Sequence, residues 1–117
     1  MMKYIVFTQS AEKTIERIIS CVRVGKGDTN KEIKTWQIKK TASNEDVLVH
    51  TADQWEEKGC IELLSSDDNK EIEVRFFYWS TYEESNRSGD ESKYLLGRFT
   101  ELLLVHFWGM IDRISIK

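Results

Sequence analysis

Along the first quarter of the chain the apolar positions Ala11, Ile15, Ile18, Ile19 and Val22 recur at steps of three and four, which is one stripe of a helix with 3.6 residues per turn. Ser10 stands where an N-cap belongs, Glu12 lies in the first turn, and Gly25 offers a left-handed stop. The run KYIVFT at 3–8 is short and rich in β-branched and aromatic residues. It predicts a strand that feeds the helix.

Beyond the glycine-bearing turn GKGDTN the period falls from 3.6 to two. Trp36 and Ile38 alternate with polar neighbours in EIKTWQIKKT, ASNED at 42–46 reads as a turn, and VLVHT at 47–51 as a second short strand. ADQWEEKG at 52–59 suits a helical turn and an irregular connection equally, so no element is assigned there. Residues 60–79 predict a hairpin with Asp67, Asp68 and Asn69 at its tip. On that hairpin Ile61, Leu63, Ile72, Val74, Phe76 and Tyr78 would share one face.

The polar stretch EESNRSGD at 83–90 is a loop, and Ser88 followed by Glu91 has the spacing of a capping box. A second helix is predicted over about 89–108. Leu95, Phe99, Leu102, Leu103, His106 and Phe107 form its core face. Leu104, Val105 and Trp108 make its last turns apolar all round, which calls for a covering strand or a partner, and a homodimer seam through Val105 and Trp108 would serve. Gly109 should end this helix and MIDRISIK should close the chain as a strand.

The predicted order is therefore β-α-β-β-β-β-α-β. Strands joined by short turns imply a mostly antiparallel sheet of about five to six strands with two helices on one face, a single α+β domain over residues 1–117. That arrangement makes the segment RFFYWSTYEES at 75–85 conspicuous. Phe76 and Tyr78 point one way from the strand and Phe77 and Trp79 the other, so a sheet with helices on one side leaves the second pair outside. Sheet curvature, a loop or a docked protein would have to cover them.

Composition narrows the class. The 117 residues are 40% hydrophobic and 32% charged, the balance of a globular domain able to fold without metals or disulfides. The longest uncharged apolar stretch, 102–111, is about half of a membrane span. Residues 4–8 are too short for a signal-peptide core. Together with only two cysteines, Cys21 and Cys60, this reads as a cytosolic protein with no membrane partner.

The net charge of −3 conceals an uneven distribution. Residues 1–44 hold nine basic and four acidic side chains, residues 45–91 four and fourteen, and residues 92–117 four and two. An acidic centre is unsuited to gripping phosphates, since nucleic-acid affinity comes chiefly from Lys and Arg. Direct nucleic-acid binding is therefore not expected, and a protein partner with a basic surface suits the charge better.

Candidate chemistry is sparse. His50, Cys60 and Asp53 lie close enough in sequence for a Cys-His-Asp arrangement to be conceivable, yet KGCIELL is no nucleophile motif, and His106 falls on a core helix face. Cys and His at 21, 50, 60 and 106 lack zinc spacing, DDNKE is not a twelve-residue calcium loop, and GKGD lacks the rest of a phosphate cradle. No catalytic residue, metal or cofactor is assigned.

The function these features suggest is a small non-catalytic binding protein that neutralises a basic protein, as inhibitors and bacterial immunity proteins do, for example against a nuclease toxin. Trp55, Phe77, Trp79 and Tyr82 would anchor the contact, with Asp53, Glu56, Glu57, Glu73, Glu83 and Glu84 steering it. The alternative is a small-ligand domain whose apolar pocket, between a curved sheet and the C-terminal helix, is lined by Trp36, Phe77, Trp79, Phe99 and His106. A third possibility makes the acidic strip a phosphate mimic that fills a nucleic-acid-binding groove.

Overall fold

In a computed structural model that describes residues 4–116, the strands are β1 (Tyr4–Thr8), β2 (Trp36–Lys40), β3 (Asp46–His50), β4 (Gly59–Ser65), β5 (Glu71–Tyr78) and β6 (Ile111–Ile116). The helices are α1 (Ala11–Val24) and α2 (Glu91–His106). One sheet holds all six strands in the order β2-β3-β4-β5-β1-β6, with every neighbouring pair antiparallel. The α+β fold expected from the sequence is the fold observed.

Both helices lie on one face. Ile18 and Val22 of α1 and Leu95, Phe99, Leu102 and Leu103 of α2 enter a core with Tyr4, Val6, Leu48, Ile61, Ile72 and Val74 of the sheet. The period-two pattern places those strand residues on the helix side, as the hairpin reading required.

The helix ends differ in detail from the reading. Ser10 makes no capping bond with its side chain. The hairpin-tip Asn69, in a left-handed conformation at φ 60°, does so instead, its Oδ1 accepting from the Glu12 N–H at 2.8 Å. Gly25 stops α1 with φ 88° and donates its N–H to the Cys21 carbonyl. This is the left-handed stop that glycine accommodates without steric cost.

The second helix begins at Glu91, not 89, and ends at His106, three residues before Gly109. A 3₁₀ turn, Trp108–Met110, then leads into β6. The unassigned segment also proves to be a 3₁₀ helix, Ala52–Glu57.

Candidate functional site

The face of the sheet opposite the helices is the candidate site, because it keeps apolar and acidic side chains together under no helix. Register fixes its rows: Glu62 of β4 stands opposite Arg75, Cys60 opposite Phe77, Leu64 opposite Glu73, and on the other side of β5 Ile5 stands opposite Glu73 and Phe7 opposite Glu71. Ile5, Phe7 and Leu64 are half-buried and Phe77 remains 37% exposed.

Among the described residues, one end of this face is covered by the chain itself. Val47 and Val49, which alternate with the inward Leu48, join Cys60 in a second small core, and Trp79 packs over it. Strand β5 ends at Tyr78, and the 3₁₀ helix Ala52–Glu57 holds the Trp79 indole in place through an Nε1–H bond to the Glu56 carbonyl at 2.7 Å. Trp79 thus covers the molecule's own second core from the outer face, while Phe77 two residues earlier keeps the outward position expected of it.

The other proposed anchors serve the fold as well. Trp55 stacks on Tyr94 of α2 at 4.3 Å with 11° between planes, and so belongs to the helix side of the sheet. Lys58 Nζ sits 4.3 Å from the Trp55 ring centre and 6.0 Å from that of Tyr82, which stacks on Tyr78, and the Arg87 guanidinium lies 4.5 Å from Tyr78. This alternation of rings and cations ties the 3₁₀ helix to the β5–α2 loop.

Of the predicted steering acids, Glu57, Glu83 and Glu84 are exposed. Glu56 pairs with Lys39 at 3.4 Å and Glu73 with Arg75 at 2.7 Å. The Asp53 side chain lies outside the described residues. The ten predicted residues therefore do not form one patch: Trp55, Glu56, Trp79 and Tyr82 gather at one end of the sheet, while Glu73 sits four residues along β5 from Phe77, about 13 Å away at the rise of a strand.

Sequence reasoning missed Glu45, Glu62, Ile5 and Leu64. Burial, a hydrogen bond with Glu45 and the repulsion of its charge raise the Glu62 carboxyl above its ordinary range, and Arg75 opposes this only weakly. Two carboxylates thus share a position on an otherwise open face. The alternation that named the inward hairpin residues also named Glu62 and Leu64 by default, a signal left unused.

The thiol arrangement is absent from this geometry. His50 makes edge-on contacts with Trp36 at 5.0 Å and Tyr94 at 6.2 Å on the helix side, whereas Cys60 lies in the opposite core. Burial pushes the Cys60 thiol up to about 12, and Glu62 adds to the shift. Such a thiol supplies almost no thiolate at neutral pH. Among the described residues no three His, Cys, Asp or Glu side chains cluster to hold a metal ion, and no helix is long and apolar enough to cross a membrane.

The pocket alternative is only partly assembled. Trp36 and His106 line a cavity of about 290 Å³ between β2 and α2, Phe99 is fully buried in the core, and Phe77 and Trp79 stand on the other side of the sheet. No protein-family model, no curated protein and no solved structure matches the chain.

Proposed function

We propose that this protein is a non-catalytic binding protein that neutralises a basic protein partner, in the manner of an inhibitor or immunity protein, and that the helix-free face of the sheet is its contact surface. One observation carries the reading: an exposed Phe77 shares that face with the crowded carboxylates Glu45 and Glu62. A ring that can be desolvated beside acids that repel each other is complementary to a partner offering an apolar pocket and a Lys or Arg.

The cations described on this face are already engaged. Lys39 pairs with Glu56, Arg75 with Glu73, and Arg113 lies over the Phe7 ring at 4.1 Å. Glu45 and Glu62 have no ion-pair partner among the described residues, so a cation brought by the partner would relieve their repulsion. The peripheral carboxylates Glu57, Glu83 and Glu84 would act on the rate of encounter and its salt dependence.

The test compares the native chain with Phe77→Ser and Glu62→Lys variants as bait in extract from the source cells. A basic protein retained in stoichiometric amount by the native chain and released by both variants supports the reading. Recovery of no such protein, or equal retention by the variants, refutes it.

A further inference from the structure

On the helix side, β2 and α2 leave between them the cavity of about 290 Å³, at the lower limit of roughly 300 Å³ for small-molecule sites, which suits a ligand of few atoms. Its apolar walls include Trp36, Leu102 and Val105, and its rim on α2 carries Arg98 and Glu101 side by side. We propose that this cavity binds a small zwitterion, a free α-amino acid with an apolar side chain, whose carboxylate meets Arg98, whose ammonium meets Glu101 and whose side chain enters between Trp36 and Leu102.

The rim has the charge pattern such a ligand needs. Arg98 Nη1 is 3.0 Å from Glu101 Oε2, a spacing of one helical turn that sets opposite charges next to each other, as the two poles of an amino acid are set. Both side chains are substantially exposed, and an exposed ion pair of this kind contributes little, so exchanging it for ligand contacts sacrifices little stability. A ligand with one charge only would meet a like charge at the rim.

Arg98 is also held ready. Its Nε donates to the Tyr94 hydroxyl at 3.1 Å and its guanidinium lies 5.2 Å from the Tyr94 ring centre, while Tyr94 is fixed by its stack on Trp55. These contacts leave Nη2 for a carboxylate. Glu32 and Lys34, which pair with each other at 3.3 Å, also line the cavity, and His106 is held below its ordinary pKa by burial and by Lys31, which favours its neutral form. The cavity and the proposed protein-binding face lie on opposite sides of the sheet, so the two readings stand or fall separately.

Binding is read by NMR titration of the whole chain, following the Trp36 indole N–H, with L-phenylalanine as probe and phenethylamine and 3-phenylpropionate as controls that each lack one pole. The expected result is saturable binding of phenylalanine, with both controls weaker by about tenfold or more, as loss of a charge-assisted contact implies. Arg98→Gln and Glu101→Gln should each weaken phenylalanine by a similar factor without moving the thermal midpoint appreciably, and Phe77→Ser should leave it unchanged. No shift of the Trp36 signal up to about 10 mM ligand, a limit well above ordinary affinities, would overturn the proposal. So would controls that bind as well as phenylalanine, or unaltered binding by the two rim variants.

Discussion

His50 and Cys60 stand on opposite faces of the same sheet, although β3 and β4 are adjacent and the two residues are only ten apart in sequence. Strand alternation decides this: His50 shares the parity of the inward Leu48, and Cys60 lies in the core that Val47 and Val49 form on the other side.

The Cys60 thiol should therefore resist alkylation. With its pKa raised to about 12 and its side chain buried, iodoacetamide at pH 8 should leave Cys60 unmodified in the native chain and label it rapidly in denaturant. Labelling of native Cys60 at the denatured rate, seen by peptide mass spectrometry, would contradict its place in that core.

The buried Glu91 carboxylate should control acid stability. Burial alone would raise its pKa, but its own backbone N–H, the Ser88 hydroxyl and N–H and the Tyr78 hydroxyl outweigh that cost and hold it at about 2. Because the folded value lies below the unfolded one, the stabilisation is fully present above about pH 5 and is lost as pH falls toward 2. A shift of this size corresponds to roughly 3 kcal/mol as an upper bound. Glu91→Gln should lower stability at pH 7 by about 1–3 kcal/mol and flatten the pH dependence between 5 and 2. A urea titration in which the variant keeps the native slope would refute it.

The element order was legible because each period was long enough to read, and the helix face from Leu95 to Phe107 is buried as its spacing required. What escaped depends on residues far apart in sequence. The capping of α1 by Asn69 joins positions 57 apart, and the 3₁₀ helix at Ala52–Glu57 is held by Trp55 stacking on a tyrosine 39 residues on. Only half of the expected capping box forms: the Glu91 carboxylate accepts from the Ser88 N–H, but Ser88 Oγ accepts from the Asp90 N–H, the N-cap is Asp90, and Glu91, which also accepts from the Tyr78 hydroxyl at the end of β5, is the first helical residue. Alternation placed Trp79 outward correctly, but only the strand order β3-β4-β5 supplies the valines and cysteine it covers.

Phe77 and Trp79 should separate stability from recognition. Trp79→Ala uncovers Val47, Val49 and Cys60 and removes the bond to the Glu56 carbonyl, so it should cost about 2–4 kcal/mol. Phe77→Ser truncates a ring that is 37% exposed and covers no buried cluster, so it should cost about 1–2 kcal/mol, clearly less than Trp79→Ala. Equal losses for the two variants in chemical denaturation would mean that Phe77 serves the fold alone and does not belong to a contact surface.

The crowding of Glu45 and Glu62 gives the contact surface a stability signature of its own. Burial first, and the neighbouring Glu45 second, raise the folded-state pKa of Glu62 above its unfolded value. Protonation is therefore favoured in the folded chain, and this group subtracts stability as pH rises through and beyond the unfolded value near 4.3. Glu45→Gln removes the like charge, so it should lower the Glu62 pKa, measurable by carbon-detected NMR titration, and raise the thermal midpoint at pH 7 slightly. The same variant should weaken the proposed basic partner, because the charge that strains the free chain is the charge the partner would neutralise. A variant that is more stable yet binds the partner as tightly as the native chain would show that the carboxylate pair lies outside the contact.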